Sequence, residues 1–404
     1  MKFDKIIGDI LRMSHPWKLD CTEVVHSTKT VKLYISYERG SKFECPKCSK
    51  QCKVHDGRWR EWRHLNIMDY YCYLHIKTPR ITCETHGVLT YNRVPYARNE
   101  SHYSFKFEEQ IVTLAKELSV AALSRELEEP DANLRRVIKH YVSQGKKTID
   151  CFDTRRIAVD EKSYKKGHNY ITIFTDLDTG QPIYICKGRT EAVFEQFYGK
   201  LFDLNGDPHK INKISMDMSK SYISGQQIHF RHAETIFDRF HIKKALNQAI
   251  DKVRREEVKR VESLKNTRYI WLKNLNKLTD KQSRLLNQFL DDASLKTAKA
   301  YQLKIAFDQL WSINNSKVED VLQAWIKAVS DSAIRQLIQF KNMIENHLEG
   351  VLNSFKSTIT NAIAEGINST AQLTKYRARG FKNVDNFIDM IYLTSGNLKY
   401  QFHH

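Results

Sequence analysis

The spacing of apolar residues along the chain predicts a β-rich beginning, a short helical segment, an α/β middle and a long helical remainder. Residues 107–118 place apolar side chains three or four positions apart, which is typical of a helix with one buried face. Ser119 is suited to cap a second short helix, Glu128-Glu129-Pro130 ends it, and Asp131 is suited to cap a third. The apolar face predicted for this third helix consists of Leu134, Val137, Ile138 and Tyr141.

Short apolar runs that end in a carboxylate mark the α/β middle. Ile157-Ala158-Val159 predicts a strand that ends at Asp160, and 170–174 and 182–186 predict two further strands. Because the connections between these three strands are short, we expect them to form an antiparallel meander. A helix with Phe194, Phe197 and Leu201 on one face is predicted to follow.

The same arrangement of strand and carboxylate recurs further along the chain. Ile214-Ser215-Met216 predicts a fourth strand that ends at Asp217, and 235–237 predict a fifth that ends at Asp238. Three strands, a helix, a strand, a helix and a strand are the order of the ribonuclease-H-like fold. The ends of its first and fourth strands lie side by side, so we expect Asp160 and Asp217 to meet. Two such carboxylates suit Mg²⁺, usually with a third, whereas a single strand-end Asp is more commonly a turn residue.

Residues 240–348 predict one helix after another, with few Gly or Pro, and we interpret them as an all-helical insertion. Beyond them, 362–368 continue a helical pattern in which Ile363 and Ile367 lie one turn apart. Glu365 lies away from that apolar side. A metal ligand projecting from a packed helix would occupy such a position, and so would any exposed glutamate.

Composition narrows the class of protein. The 404 residues are enough for two or three domains, and the apolar share of 41% argues against a disordered chain. No apolar run approaches the roughly 20 residues that span a bilayer. Asp4 and Asp9 lie where a signal peptide would need an apolar stretch. We therefore expect a soluble intracellular protein with no membrane partner.

The charge balance favours a polyanionic partner. The 65 Lys and Arg exceed the 47 Asp and Glu by 18 charges. Basic side chains release condensed counterions when they neutralise phosphates, so nucleic acid is the favoured partner. The alternative is that the surplus charge only maintains solubility.

Cysteines cluster near the N-terminus, where six of the eight precede residue 84. Cys45–Cys48 forms a CxxC pair and Cys83–His86 a CxxH pair, and the segment between them is rich in aromatic and β-branched residues. Four such ligands form the closed tetrahedral site of structural zinc, so we predict a β-rich zinc ribbon. Cys52 and His55 compete for one ligand position, and unrelated free thiols are the alternative.

The helices predicted between residues 107 and 141 follow the helix-turn-helix pattern. Polar and basic residues of the third helix lie outside its apolar stripe, where they can reach phosphates or base edges: Asn133, Arg135, Arg136 and Lys139. An ordinary three-helix unit with a solvated basic face is the alternative. The turn at Glu128–Pro130 also lacks the glycine often found there.

Four stretches resemble the transposases of bacterial insertion sequences of the ISL3 group, which are DDE transposases. They are Ile157–Tyr170, Ser215–Gly225, Ala233–Lys244 and Asn361–Phe387, and the wider similarity runs from Cys45 to about Leu393. The resemblance implies that Asp160, Asp217 and Glu365 form the catalytic triad and hold Mg²⁺ or Mn²⁺. It also implies the zinc module, the helix-turn-helix and a ribonuclease-H-like core interrupted before its third acid. Asp238 and His241 resemble an Asp-x-x-His element, to which we assign a supporting role.

The resemblance implies a transposase that binds the terminal inverted repeats of its insertion sequence and catalyses metal-dependent strand cleavage and strand transfer. The expected partners are double-stranded DNA, as element ends and target, and a second copy of the chain on that DNA. We expect the protein in the cytoplasm, associated with the nucleoid. Basic groups expected to position phosphates near the acids are Lys162, Lys165, Lys166, His168, Lys375, Arg377, Arg379 and Lys382. The alternative is that these groups only form a solvated surface.

Three alternatives differ in chemistry: a non-catalytic DNA-binding regulator that keeps the zinc and helix-turn-helix modules, a ribonuclease-H-like nuclease without strand transfer, and a zinc-dependent hydrolase. The last requires an open metal position, which paired zinc-binding turns do not suggest. The fold class expected is multidomain α+β. Its expected segments are an N-terminal segment (1–40), the zinc module (41–98), the helix-turn-helix (99–150), the first part of the core (151–244), the helical insertion (245–348) and the last part of the core with the third acid and the tail (349–404).

Overall fold

The computed structural model describes residues 3–165, 167, 169–273, 275–357 and 362–402. The chain folds as two compact units. The first consists of Met1–Thr148, Tyr376–Arg379 and Asp385–His404, and the second of Ile149–Lys375 and Gly380–Val384. No helix in these described ranges combines the length and apolarity needed to cross a bilayer.

Within the described residues, a six-stranded sheet dominates the first unit. Its strands are β1 (Trp17–Val25), β2 (Thr30–Tyr37), β3 (Lys42–Glu44), β4 (Gln51–Ile67), β5 (Tyr70–Cys83) and β6 (Gly87–Thr90). The order is β1-β2-β5-β4-β3, with β6 paired to the end of β5, and only the β2–β5 pair is parallel. Alternate residues of β5, such as Cys72, Leu74 and Ile76, are fully buried and form one core with Trp62.

Helices of the first unit are α1 (Phe3–Ile10), α2 (Phe105–Ala115), α3 (Val120–Leu127), α4 (Asp131–Lys146) and the last helix of the chain (Val384–Ser395). Ser119 caps α3 by accepting a hydrogen bond from the Ala122 N–H. Glu128 ends α3 in the left-handed conformation, with φ 54°, so a non-glycine residue makes this turn. Pro130, not Asp131, is the N-cap of α4, and Asp131 lies in its first turn, where a carboxylate favours the helix dipole.

A largely buried histidine links the sheet to α2. The Ser104 hydroxyl accepts from the Phe107 N–H, at 3.3 Å, and lies 2.7 Å from His64 Nδ1. In the neutral tautomer that carries its proton on Nε2, His64 Nδ1 accepts the hydroxyl proton, and protonation of the ring would remove this acceptor. Burial, and secondarily the charge of Arg63, lower the pKa of His64 to about 4.

Stability is therefore expected to fall on acidification. Because the folded pKa of His64 is about 4 and the ordinary value is 6.5, the unfolded chain binds more protons between these pH values. The contribution of neutral His64 to the free energy of unfolding is complete above pH 6.5. It is lost as the pH falls towards 4, and the loss is up to roughly 3 kcal/mol. The difference between the thermal unfolding midpoints at pH 5 and pH 7.5 should be smaller for the His64→Asn variant than for the wild-type protein. Asparagine keeps a hydrogen-bond acceptor at this position but does not titrate. Equal pH dependence in both proteins would contradict this account.

A five-stranded sheet of described residues is the centre of the second unit. Its strands are β7 (Arg156–Lys165), β8 (Asn169–Asp176), β9 (Pro182–Lys187), β10 (Lys213–Met216) and β11 (Glu234–Phe237), in the order β11-β10-β7-β8-β9. The predicted meander is present, because β7, β8 and β9 pair antiparallel. By contrast, β10 pairs parallel with both β7 and β11. Two helices pack against the sheet, α5 (Ala192–Asp203) and α6 (Lys220–His229).

The predicted run of helices follows β11. It consists of α7 (Arg239–Glu257), α8 (Arg268–Leu272), α9 (Asp280–Leu290), α10 (Lys296–Gln309), α11 (Val318–Asp331), α12 (Arg335–Asn346) and α13 (Leu348–Lys356), and α14 (Ala362–Arg377) comes next. Phe307, fully buried, contacts the rings of Trp311, Trp325 and Phe340 and forms the centre of this bundle. The tryptophans are thus core residues of the insertion.

The end of the bundle packs directly on the sheet. The Asn353 side chain donates to the Thr235 carbonyl, at 3.0 Å, and Gly350 of α13 lies against the ring of Phe237. A Cβ atom at Gly350 would lie 2.6 Å from Phe237 Cδ2. The absence of a side chain here therefore allows α13 to approach β11.

Gly350→Ala is expected to destabilise the protein by about 1–3 kcal/mol, because the methyl group forces the helix or the ring to move. Gly199→Ala provides the matched control, since its Cβ would meet no atom within 4 Å on exposed α5. The control should gain up to about 1 kcal/mol from helix propensity. Thermal unfolding midpoints of the two variants distinguish these effects, and equal midpoints would contradict the packing argument.

Candidate functional site

Two turns at one end of the first unit's sheet bring four metal-binding side chains together. Cys45 and Cys48 lie in the β3–β4 connection, and Cys83 and His86 lie where β5 turns into β6. Their ligand atoms all lie within 4.8 Å of one another. Gly87 follows the second pair with φ +70°, a left-handed conformation that glycine adopts without strain.

The distances in this group fit tetrahedral zinc. Cys48 Sγ and Cys83 Sγ are 3.7 Å apart, and His86 Nδ1 lies 3.5 Å from Cys83 Sγ and 3.7 Å from Cys45 Sγ. Zn–S bonds of about 2.3 Å at tetrahedral angles place two sulfurs about 3.8 Å apart. With four protein ligands the site is closed, which is characteristic of structural zinc.

Cys52 and His55 lie outside this group. Cys52 is buried, and its thiol donates to the Lys50 carbonyl at 3.3 Å. His55 Nδ1 instead lies 3.4 Å from an Asp56 carboxylate oxygen.

Within the group of four, burial acts to raise the pKa of Cys83. Hydrogen bonds, first from the His86 ring, outweigh burial and lower the pKa of Cys83 to about 6.

Three aspartates occupy one row at the ends of the parallel strands. Ala158 of β7 pairs with Ser215 of β10, so Asp160 and Asp217, each two residues further on, hold equivalent positions. Met216 pairs with Phe237 of β11, which places Asp238 in the same row. Neighbouring strands lie about 4.8 Å apart, so the central Asp217 is one strand away from each of the other two.

The environment of Asp160 is negative and shielded from water. Its Oδ1 accepts from the Glu161 N–H at 2.7 Å, and its Oδ2 accepts from the Asn368 side-chain amide. Burial is the main cause that raises the pKa of Asp160 to about 6, and Asp238 and Asp217 act in the same direction. Concentrated negative charge of this kind favours a bound cation.

The other two aspartates are held by helix starts. Asp217 Oδ1 accepts from the Ser219 N–H at 2.9 Å, and Asp238 caps α7 by accepting from the Phe240 N–H at 2.8 Å. His241 Nε2 lies 3.8 Å from Asp238 Oδ2. Asp238 is only 6% exposed, so it belongs to the floor of the site rather than its rim.

Glu365 lies on α14 and is exposed. Among the described residues, only the cysteine–histidine group gathers three or more potential metal ligands within 4.8 Å. Neither Glu365 with Asp160 and Asp217 nor the three aspartates of the row form such a group. The residue of α14 that reaches Asp160 is Asn368, which sequence reasoning missed. Asn368 follows Glu365 by three positions, a spacing that puts both on neighbouring parts of one helix surface.

Two basic candidates lie beside Asp160. Burial lowers the pKa of Lys162, whereas the Asp160 carboxylate acts to raise it. Lys375 donates to the Ser163 carbonyl at 2.8 Å and also acts on Lys162. Lys165 is exposed at the end of β7, and Lys166 and His168 lie outside the described residues.

The remaining basic candidates lie on α4, at the last residue of α14 or shortly after that helix. On α4, Arg136 donates to the Asn133 side chain at 3.0 Å, and Arg135 lies 3.5 Å from Asp131. Arg135 and Lys139 share a small cleft with residues of the last helix. Further exposed groups are Arg377, whose guanidinium lies 3.6 Å from Glu117, Arg379 and Lys382.

Comparison with known proteins gives concordant matches for both units. Residues 157–391 match the ISL3 family of DDE enzymes described as transposase, and 41–86 match the zinc-finger of transposase IS204/IS1001/IS1096/IS1165. The chain is 25% identical over 353 residues to the transposase for insertion sequence element IS1001 of Bordetella parapertussis, which covers 85% of this chain and 86% of that protein. It is 24% identical over 383 residues to the transposase for insertion sequence element IS1557 of Mycobacterium tuberculosis, with 87% and 85% covered.

Proposed function

Since the chain belongs to the ISL3 group of insertion-sequence transposases, we propose that it binds the terminal inverted repeats of its own element and catalyses cleavage and strand transfer at the row of aspartates. The observation that carries this proposal is the shared register of Asp160, Asp217 and Asp238 on three adjacent parallel strands. Carboxylates from distant parts of the chain are held there without flexible loops, as phosphoryl transfer requires.

The strand arrangement supports a ribonuclease-H-like core. An antiparallel meander of β7, β8 and β9 continues through two parallel strands on the β7 side, and helices connect the parallel strands. This order agrees with the fold expected from the sequence. In such a sheet the acids at the ends of the first and fourth strands are neighbours, which is the geometry of Asp160 and Asp217.

The donor set suits magnesium or manganese. Asp160 and Asp217 would hold the ion, and Glu365 is proposed as the third ligand although the three carboxylates do not gather within 4.8 Å in this structure. All three offer the oxygen ligands that hard divalent cations prefer. In addition, Asn368 Oδ1 is buried without a hydrogen-bond partner among the described residues, so a polar atom next to Asp160 remains unsatisfied. A divalent cation bound here neutralises charge on the attacked phosphate and makes the attacking oxygen more acidic.

The protein groups orient the acids for this chemistry. The Glu161 N–H donates to one oxygen of Asp160, and the Ser219 N–H donates to one oxygen of Asp217. Because of these hydrogen bonds, neither carboxylate can rotate freely. Hydrolysis forms a bond from water oxygen to phosphorus and breaks the bond to the 3′ oxygen, leaving a 3′-hydroxyl at the element end. That hydroxyl then attacks a target phosphodiester: its oxygen bonds to the phosphorus, the bond to the target strand's 3′ oxygen breaks, and this oxygen leaves as a hydroxyl that takes up the proton. No covalent protein–DNA intermediate and no Ser or Tyr nucleophile is therefore required.

The first unit is proposed to recognise the element ends. The helices α2, α3 and α4 form the helix-turn-helix, and the exposed basic groups of α4 contact phosphates or base edges. The zinc ribbon stabilises this unit without entering the reaction. Cleavage at two ends of one element requires two active sites, so the working form is a homodimer on DNA.

Cleavage of a plasmid that carries the gene's flanking DNA tests the proposal. We expect cuts at the element ends, with 3′-hydroxyl products, in Mg²⁺ or Mn²⁺ and none in EDTA. Joining of those ends to a second DNA molecule would establish strand transfer. Cutting without joining would favour the nuclease, and binding without cutting by the folded protein would favour the regulator.

A further inference from the structure

A large basic groove lies along α7 in the helical insertion, outside the residues discussed so far. It has a volume of about 820 Å³ and is lined by α7 and α8. The cations that line it are Lys243, Lys244, Lys252, Arg254, Arg255 and Arg268. Asp251 is the only acid among its lining residues in the described part of the chain, so the lining carries a surplus of positive charge.

The arginines of the groove are held by that single carboxylate. Asp251, 8% exposed, lies 2.8 Å from Arg254, 3.5 Å from Arg255 and 3.4 Å from Arg268. One negative charge therefore orients three guanidinium groups, and a net charge of about +2 remains at this point. The side chains of Arg255 and Arg268 are 62% and 55% exposed, so their planar donors are accessible to phosphate.

Lys244 and Lys252, two of the three lysines that line the groove, extend the basic strip. Lys244 lies with its ammonium 6.0 Å from the ring of Phe240, and no carboxylate of the described residues pairs with Lys244 or Lys252. The Asn247 side-chain oxygen, between these lysines along α7, is buried and has no hydrogen-bond partner within the same described ranges. The attraction of the groove for an anion therefore comes from its uncompensated positive charge, since the amide oxygen of Asn247 has no proton to donate to a phosphate.

The position of α7 identifies the ligand. The helix begins directly after Asp238, its N-cap, so the groove starts at the row of aspartates. From Phe240 to Arg255 the helix rises about 22 Å, which matches six or seven base pairs of duplex at about 3.4 Å each. DNA whose phosphodiester lies at the acids must continue past the site, and this strip offers it a basic path.

We propose that the α7–α8 groove binds the DNA backbone next to the scissile phosphodiester, so the helical insertion is a second DNA-binding surface. This inference rests on the proposed function, because it takes DNA as the substrate of the acids. It assigns phosphate contacts to Lys244, Lys252 and Arg255, with Asp251 as the residue that positions the arginines. Binding here is independent of sequence, since phosphate contacts orient the duplex without distinguishing bases.

Salt dependence of binding tests the groove. Fluorescence anisotropy of the full chain with a random duplex of about 40 base pairs is measured between 50 and 200 mM KCl, for wild type and for Lys244→Ala with Lys252→Ala. Loss of two phosphate contacts lowers the slope of log affinity against log salt by about 1.8, so the affinity ratio across this range shrinks about twelvefold. Lys299→Ala with Lys327→Ala, an equal charge change at exposed helix positions outside the groove, should keep the wild-type slope.

The outcomes separate this proposal from the proposed function. A wild-type slope in the Lys244/Lys252 variant would overturn the groove assignment while leaving DNA binding intact. Failure of the wild-type protein to bind any duplex would overturn both. A reduced slope equal in both double variants would show a general charge effect and would also overturn the groove assignment.

Discussion

Asp217→Asn is expected to lower the rate of cleavage at element ends by about a thousandfold or more, while DNA binding and thermal stability stay close to wild type. Asp217 is central in the row of three aspartates, and one oxygen is already fixed by the Ser219 N–H. The amide keeps that hydrogen bond and the volume of the side chain, but it removes one negative charge from the cation site. A cation supplies several kcal/mol of transition-state stabilisation, and each 1.4 kcal/mol is about tenfold in rate.

Asp203→Asn is the matched control for this prediction. Asp203 is a 68% exposed residue at the end of α5 that pairs with Lys200 at 3.0 Å, and exposed pairs of this kind contribute little. Single-turnover cleavage in Mg²⁺ gives the rates, and anisotropy gives the affinity for DNA. If both variants cut at the wild-type rate, the row of aspartates is not the catalytic centre.

Cys83→Ser is expected to abolish zinc binding and to unfold the end of the first unit's sheet. Two of the three contacts among the ligand atoms involve the Cys83 sulfur, which lies 3.7 Å from Cys48 Sγ and 3.5 Å from His86 Nδ1, and Cys83 is 2% exposed. Structural zinc sites contribute folding free energy directly, so loss of one ligand removes much of it. Zinc content should fall from about one ion per chain to near zero, and the first thermal transition by about 10 °C or more.

Cys52→Ser tests whether the effect belongs to the ligand set. Cys52 is also a buried cysteine of the same sheet, and serine can keep its hydrogen bond to the Lys50 carbonyl. This variant should retain about one zinc ion and its DNA affinity. Loss of zinc in Cys52→Ser with retention in Cys83→Ser would show that the ligands were assigned wrongly.

The features that the sequence predicts best are those that depend on short-range pattern. A strand that ends in a carboxylate is visible locally, so Asp160 and Asp217 could be proposed as acids, and the spacing of CxxC and CxxH predicted the four side chains that the structure brings together. Asp238 could be named only in a supporting role, because its place in the row depends on the β10–β11 register. Asn368 was missed because its contact with Asp160 joins residues 208 positions apart, which no local periodicity reveals.

Long-range pairing also explains why the limits of the units were not predictable. The helix pattern of 384–395 is clear, but nothing in that segment indicates that it packs with α4 of the first unit. Lys146 pairs with Asp389 at 2.8 Å, and Gly145 lies against Leu398. The parallel pairing of β2 with β5 could not be predicted for the same reason. The strands β3 and β4 separate them along the chain, and no local pattern in either strand indicates that they are neighbours in the sheet.

The late completion of both units has a consequence for synthesis of the protein. The contact of Asp160 with Asn368 and the ion pair of Lys146 with Asp389 each close only after more than 200 further residues are made. At about 5–20 residues per second, a ribosome needs roughly 10–40 seconds for that interval. A chain that terminates early therefore lacks the closing segments of both units at once. Truncated products are expected to be cleared as misfolded protein rather than to persist as fragments that occupy element ends and compete with the full-length enzyme.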